Sequence, residues 1–377
     1  MQGDAETSQT ALMAAPELAV IVPTFNEVEN VPRLVEALRR CLTDYSWEVI
    51  FVDDDSADET AQAVRVLGRT DARVRCLQRL RRRGLSSACV EGMLASTAPY
   101  LAIMDGDLQH DERLLPQMLD TLKKENVDIV IGSRYASGGT VGDWSDSRVS
   151  LSRFATRLSR MVVPAELTDP MSGFFMLRRE AFAESMRRLS AIGFKLLVDL
   201  FASAPRPLRF REIPYQFRTR QAGASKLDSA VVWDYALLLL DKLVGHVVPV
   251  RFAAFTVVGL MGVAVHFAVL SSMFQWMHDS FTVSQATATG FAMTFNFWVN
   301  NEFTYSDSRL LGWRWVRGWL SFVAVCSVGA LANVGVASYL FRWNSAWVPA
   351  ALAGIVVSSV WNYFATSVFT WARPGRS

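Results

Sequence analysis

Four stretches of the chain, residues 252–277, 283–300, 319–341 and 348–370, contain no Lys, Arg, Asp or Glu. A helix needs about 20 consecutive apolar residues to cross the hydrocarbon of a bilayer. Four such runs in the last third of the chain point to an all-α, four-helix transmembrane domain. The charges are distributed to match. Only seven of the 38 basic and three of the 36 acidic residues lie beyond position 244. Lys242 and Arg251 precede the first run, Arg309, Arg314 and Arg317 lie between the second and third, and Arg373 and Arg376 follow the fourth. Of Lys and Arg, the other two loops contain Arg342 alone. The positive-inside rule therefore predicts that both termini, and everything before the first run, are cytoplasmic. The expected location is the cell's inner membrane.

The apolar runs also repeat. Asn296-Phe297-Trp298 with Phe303-Thr304-Tyr305 returns, 66 positions later, as Asn362-Tyr363-Phe364 with Phe369-Thr370-Trp371. Phe255, Gly262 and His266 return 67 positions later as Phe322, Gly329 and Asn333. Two hairpins of the same orientation are predicted, a parallel repeat. Asn296, Asn333 and Asn362 are expected to face one another or a cavity, because an unpaired amide in lipid is costly.

The preceding part reads differently. Leu18–Val22 and Tyr100–Met104 are short apolar runs that read as buried strands, and Trp47–Val52, Arg73–Leu77 and Asp128–Gly132 also read as strands. Helical patterns stand between them: Val31, Leu34, Val35 and Leu38, then a helix opening at Ala57-Asp58-Glu59-Thr60, then Leu85–Ala95. Strands alternating with helices predict an α/β domain on a mostly parallel sheet, with ligands at the carboxyl ends of the strands. Those ends carry Glu27, Asp53 to Asp55, and Asp105 with Asp107. Such a gathering of acids repels itself unless a cation or a donor-rich ligand joins it. No GxGxxG and no GxxxxGK[ST] occurs, which argues against dinucleotide and P-loop chemistry. The cysteines, Cys41, Cys76, Cys89 and Cys326, lack metal-like spacing and read as core thiols.

The densest chemistry is Asp105-Gly106-Asp107 followed by Gln109. Two carboxylates one residue apart at a strand end suit a hard divalent ion, Mg²⁺ or Mn²⁺, completed by water and substrate phosphates. Gly106 is expected to allow a tight turn and close approach of substrate. The competing reading is a polar turn with Asp111 capping the next helix.

Taken in order, the runs VPTFNE, VIFVDDDSADET, DGDLQH, GSRY, DPMSGF and RQAGASK resemble glycosyltransferase family two. Within it they are most similar to the polyprenyl-phosphate (dolichyl-phosphate) mannose synthases. The four-run segment is similar to the GtrA-like membrane domain. The resemblance implies a GT-A nucleotide-sugar-binding domain over residues 17–227, after a disordered tail at 1–16. An amphipathic interface segment at 228–250 and the membrane domain at 251–377 would follow. It implies that Pro23, Phe25, Glu27, Val52 and Asp54 hold the nucleotide. Asp105, Gly106, Asp107 and Gln109 would form the metal and diphosphate site. Arg134, Arg148 and Ser152 would surround the acceptor phosphate, and Arg220 and Lys226 would close over the donor diphosphate. The family more often has Tyr at Phe25, Ala at Gly106, a Pro near Asp111 and Gly at Ser86.

The implied reaction is inverting transfer of a hexose, mannose from GDP-mannose, to a polyprenyl or dolichyl phosphate at the cytoplasmic membrane face. UDP-glucose as donor, or a membrane domain that translocates the lipid-linked sugar, are the alternatives. A lipid phosphate is largely anionic near neutral pH, its second pKa being about 6, so a strong general base is unnecessary. Residues 148–163 and 225–244 mix basic and apolar residues, as amphipathic helices on an anionic leaflet do, though both would serve equally to cover the sheet. The partners expected are the nucleotide-sugar, the lipid phosphate, the bilayer and a second copy through the membrane domain; no nucleic acid is expected.

Overall fold

Leu18, Val20 and Val22 face one side of the first strand and Ala19 and Ile21 the other, and none of the five is exposed. A strand apolar on both faces must lie between two layers, and the computed structural model shows that arrangement. It describes residues 15–80, 84–140, 155–163, 165–218, 229–245, 248–276, 280–344 and 347–371. The chain divides into two units, residues 1–242 and 243–377.

In the first unit the strands are β1 (Leu18–Thr24), β2 (Trp47–Asp53), β3 (Val74–Gln78), β4 (Tyr100–Ile103), β5 (Ile129–Ser133), β6 (Phe175–Arg178) and β7 (Phe210–Pro214). They form one sheet in the order β3-β2-β1-β4-β6-β5-β7. β6 runs antiparallel to β4 and β5, and the other pairings are parallel. Helices α1 (Asn30–Cys41), α2 (Thr60–Thr70), α3 (Leu85–Leu94) and α4 (Leu115–Lys124) connect the early strands. α5 (Arg179–Ser185) and α6 (Leu196–Ser203) follow β6. The fold is thus a GT-A-like mixed sheet with mostly parallel strands.

Each face of the sheet carries its own core. Val31, Leu34 and Leu38 of α1 pack with Val20 and Val22 on one face, and Ala88, Cys89 and Met93 of α3 pack with Ala19 and Ile21 on the other. Burying each of the Val, Leu, Ile and Met side chains among these contributes about 1.5–3 kcal/mol. α3 lies so close that a Cβ on Gly92 would overlap Ile21. Helix α7 (Ser229–Val244) also covers the sheet: Tyr235 and Leu238 join the second core, and Lys242 Nζ lies 2.6 Å from the buried Asp199.

The second unit contains α8 (Val250–Ser271), α9 (Phe281–Val299), α10 (Trp313–Asn344) and α11 (Trp347–Phe369). Among the described residues three helical stretches are long and apolar enough to cross a membrane, Val250–Gln275, Trp313–Arg342 and Leu352–Phe369. The second of the four expected spans is α9, whose Thr, Ser and Gln residues dilute its apolar character. The repeat is realised in the contacts. α8 and α9 form one hairpin and α10 and α11 the other. Phe297 of the first meets Phe322 of the second with ring centroids 5.6 Å apart, and Tyr363 of the second meets Phe255 of the first at 5.8 Å. Such reciprocity marks a two-fold relation. The Asn300 amide donates to Asn296 O at 2.9 Å, and the equivalent Thr366 hydroxyl donates to Asn362 O at 2.6 Å. The asparagines do not face one another. Asn296 lies against Gly262, Asn362 against Gly329 and Asn333 against Gly354, each so tightly that a Cβ on the glycine would overlap the amide. Asn296 and His266 also line a cavity of about 200 Å³ between α8 and α9.

Candidate active site

Parallel pairing of β2, β1 and β4 sets their carboxyl ends side by side, with Thr24 registered on Asp53 and Ile21 on Ile103. The sheet thereby assembles Pro23, Phe25 and Glu27, then Val52 and Asp54, then Asp105, Gly106, Asp107 and Gln109 along one edge. Arg134 follows β5, which points the same way as β4, and so reaches the same edge. Arg148, Ser152, Arg220 and Lys226 lie outside the described residues.

The three aspartates at the end of β2 have different roles. Asp53 is buried and holds the turn: its carboxylate accepts from the Ser56 amide at 3.0 Å and the Ser56 hydroxyl at 2.5 Å. Asp54 is 7% exposed; its Oδ1 accepts from Arg79 Nε at 2.7 Å and its Oδ2 from the Gly84 amide at 2.8 Å. Asp55 is exposed and takes a left-handed backbone, φ 58°.

In the Asp105–Asp111 loop the left-handed residue is Leu108, φ 63°, rather than Gly106. Gly106 is closely packed: a Cβ there would lie 3.2 Å from the Thr24 methyl, which would have to yield by a few tenths of an ångström. His110 is buried and stacks on Phe174 at 5.1 Å; its Nδ1 accepts from the Asp105 amide at 3.0 Å. Burial pushes its pKa down to about 4, overriding the pull of Asp107, so near pH 7 the ring is neutral. The proton sits on Nε2, which lies 3.7 Å from Asp105 Oδ2. Gln109 is clasped: its Nε2 donates to Arg218 O at 3.1 Å, and the Arg218 amide donates to Gln109 O at 3.0 Å. Arg218 also pairs with Asp111 and Glu112 at 2.6 and 2.7 Å. Asp111 caps the following turn through the Arg113 amide, so the competing reading of this loop holds as well.

The residues fit a hard divalent ion. The Asp105 side chain is 37% exposed and Asp107 lies beside it in sequence, nearly buried. Glycine at 173 keeps the space next to Asp105 open, since a Cβ there would stand 3.4 Å from Oδ2. No group of three or more His, Cys, Asp or Glu able to hold a metal occurs among the described residues. Two protein carboxylates suit an ion that takes its other ligands from water and substrate phosphates.

Arg134, expected as an acceptor anchor, has a protein partner of its own. It is 8% exposed and forked onto the fully buried Asp169, with Nε and Nη2 each 2.8 Å from a carboxylate oxygen. Glu212 in turn accepts from the Thr168 and Asp169 amides at 3.0 and 3.1 Å. The guanidinium also lies 5.6 Å from the Phe217 ring, which links this pair to His110 through an edge contact at 5.9 Å. Reading the sequence residue by residue missed Asp169, Arg79 and Arg218. Asp169 stood inside the run DPMSGF. Arg79 is one of four arginines in five residues, a pattern that reads as a solvated face.

Residues 19–185 match the family model described as glycosyl transferase family 2, and residues 254–371 the one described as GtrA/DPMS, transmembrane domain. A dolichol-phosphate mannosyltransferase of Pyrococcus furiosus is 32% identical over 369 residues, covering 94% of this chain and 99% of its own. Dolichol-phosphate mannosyltransferases of Mycosarcoma maydis and Saccharomyces cerevisiae are 35% and 34% identical, over 60% and 58% of this chain and 79% and 84% of theirs.

Proposed function

The chain belongs to glycosyl transferase family 2, joined to a GtrA/DPMS transmembrane domain, and from that premise we propose that it transfers mannose from GDP-mannose to dolichyl or another polyprenyl phosphate. The observation that carries this reading is the sheet edge where Asp54, after β2, and Asp105 and Asp107, after β4, stand on either side of the end of β1, in a chain related end to end to a dolichol-phosphate mannosyltransferase.

Asp54 receives the base. Each of its oxygens takes one donor from the protein and keeps a second lone pair. Guanine presents two parallel N–H donors to such a carboxylate, whereas uracil presents one between two carbonyls. Asp105, Asp107 and the Gln109 carbonyl would hold Mg²⁺ or Mn²⁺. That ion, when bound, neutralises charge developing on the leaving diphosphate. His110 fixes the Asp105 backbone and, being neutral, adds no charge of its own.

A phosphate oxygen of the acceptor forms a bond to the anomeric carbon as the bond to the nucleoside diphosphate breaks, with inversion. The acceptor is already anionic, so no proton need be removed. Arg134, held by Asp169, lends positive potential to this edge, and Arg148, Ser152, Arg220 and Lys226 complete the binding of the two phosphates. The four long helices of the second unit act as four spans with the catalytic unit cytoplasmic, following the loop arginines. Incubating the protein with GDP- and UDP-sugars, a polyprenyl phosphate and Mg²⁺ or Mn²⁺, and weighing the lipid product, tests the reading. A hexosyl lipid formed only from a UDP-sugar would overturn the donor, and no hexosyl lipid from any donor would overturn the acceptor.

A further inference from the structure

Arg79 is 3% exposed, yet it follows β3 at the same edge as the acids. All three of its guanidinium nitrogens are engaged. Nε donates to Asp54 Oδ1 at 2.7 Å, and Nη1 to Ser87 Oγ at 2.9 Å and Glu91 Oε1 at 3.2 Å. Nη2 donates to Gly84 O at 3.1 Å. The Gly84 amide returns to the same aspartate, on Oδ2. The Arg79 amide also donates to Asp53 O at 2.8 Å. One side chain therefore ties the end of β2 to the start of α3, and its first contact is the carboxylate assigned to the base.

A carboxylate on a short side chain rotates readily about its last bond. Asp54 does not, because a donor stands against each of its oxygens. Burying a guanidinium is costly unless its donors are met, and here each nitrogen has a partner. The arrangement therefore does more than cover apolar surface. We infer that Arg79 is a positioning residue for the donor nucleotide: it fixes Asp54 as a two-point acceptor and so sets the preference for guanine over uracil. The inference rests on the reading of Asp54 as the base acceptor. Arg79 itself touches neither sugar nor phosphate in this scheme.

The test uses the full-length protein in detergent, titrated with GDP and with UDP in the presence of Mg²⁺, alongside steady-state kinetics. Arg79→Lys keeps the charge and loses the fork. It should weaken GDP binding by about tenfold or more, as expected for the loss of an aligned charge-assisted hydrogen bond. The GDP-to-UDP affinity ratio should fall toward one, the donor KM should rise in step, and kcat at saturating donor should stay within about threefold. GDP affinity equal to wild type, or a fall in kcat with KM unchanged, would overturn the inference. Should Arg79→Lys fail to fold, Glu91→Gln combined with Ser87→Ala decides the matter, since together they remove both partners of Arg79 Nη1 and release the side chain from its aim at Asp54. Weaker GDP binding in that variant supports the role, and unchanged binding overturns it. A wild-type protein that binds UDP more tightly than GDP would refute the choice of donor and overturn the inference with it, whereas a wild-type preference for GDP that survives in Arg79→Lys would overturn the inference alone.

Discussion

The ring of Tyr305 lies flat on that of Trp371, centroids 4.1 Å apart and planes within 5°. The two residues occupy equivalent places in the two hairpins, and each amide reaches back five residues, Tyr305 to Asn300 O and Trp371 to Thr366 O. The pseudo-two-fold axis of the second unit thus passes between these rings. Trp371→Ala should lower the stability of this unit by about 3–5 kcal/mol, the usual result of emptying a buried aromatic site. Combined with Tyr305→Ala, the double variant should lose about 1 kcal/mol less than the sum of the singles, because the stacking is counted in both. Denaturant titration of the detergent-solubilised protein measures this. Strict additivity would show that the rings do not act as a pair.

Three glycines on two helices make a matched set. Gly262 and Gly329 each lie against an asparagine amide, whereas Gly259, on the same helix as Gly262, has nothing within 4 Å. Gly262→Ala and Gly329→Ala should each cost about 1–3 kcal/mol through overpacking. Gly259→Ala should cost nothing and can gain up to about 1 kcal/mol from helix propensity. Thermal unfolding of the three variants side by side gives the answer, and equal losses at Gly259 and Gly262 would refute the close seam.

Arg134 and Asp169 form a buried pair with two parallel contacts of 2.8 Å. Removing one member leaves the other charge buried and unpaired, so Asp169→Ala should destabilise the first unit by about 3–5 kcal/mol. Replacing both together, as Arg134→Met with Asp169→Leu, should recover much of that loss while turnover stays low. Chemical denaturation with a parallel activity assay separates the two effects. Full activity in the folded double variant would remove the pair from the site.

The half of the sheet from β1 to β4 was legible because β1, β2 and β4 are short, largely apolar runs, helices with their own period stand between the strands, and acids mark the ends of these three strands directly. β6 and β7 were not read. β6 is only four residues long and pairs with strands on both sides. The partner of Arg134 is 35 positions away, and a pairing at that distance leaves no periodic trace. The role of Asp54 was read from its motif, but its support by Arg79 was hidden in a run of arginines that looks like surface. In the second unit the repeat was visible as two offsets, yet the asparagines' true neighbours were glycines, whose lack of a side chain gives pattern reading little to register.

Acid stability has a defined contribution from Asp71, at the turn before β3. Hydrogen bonds from Arg73 hold its carboxyl at about 2, against an ordinary value of 3.8, with Arg39 adding a further contact. A folded pKa below the unfolded one means that the stabilisation is complete above about pH 4 and is lost as pH falls through 2. The arginines are about a third exposed, so solvent screening reduces the effect to roughly 1–2 kcal/mol. Asp71→Asn should lose that amount at pH 7, and the gap from wild type should close by pH 2. Unfolding measured at several pH values gives the curve, and a gap that does not depend on pH would assign the loss to packing instead.

Asp107 lies nearly buried beside Asp105, with its Oδ1 accepting from the Gln109 amide at 3.2 Å. Its carboxylate therefore has little solvent to screen it and an ordered loop to aim it. If it holds the divalent ion, Asp107→Asn retains the hydrogen bond and the volume but loses the charge. Turnover should then fall by about 10²–10³-fold or more, since metal and electrostatic stabilisation of a leaving diphosphate is worth several kcal/mol. Folding and membrane insertion should be unaffected, because β4 and its core neighbours do not involve this side chain. Binding of Mn²⁺ in the presence of GDP, followed by the loss of its free-ion resonance signal, should weaken in parallel with turnover. Wild-type turnover in the variant, or Mn²⁺ binding unchanged while turnover is lost, would mean that the ion is held elsewhere and that Asp107 serves only to shape the loop.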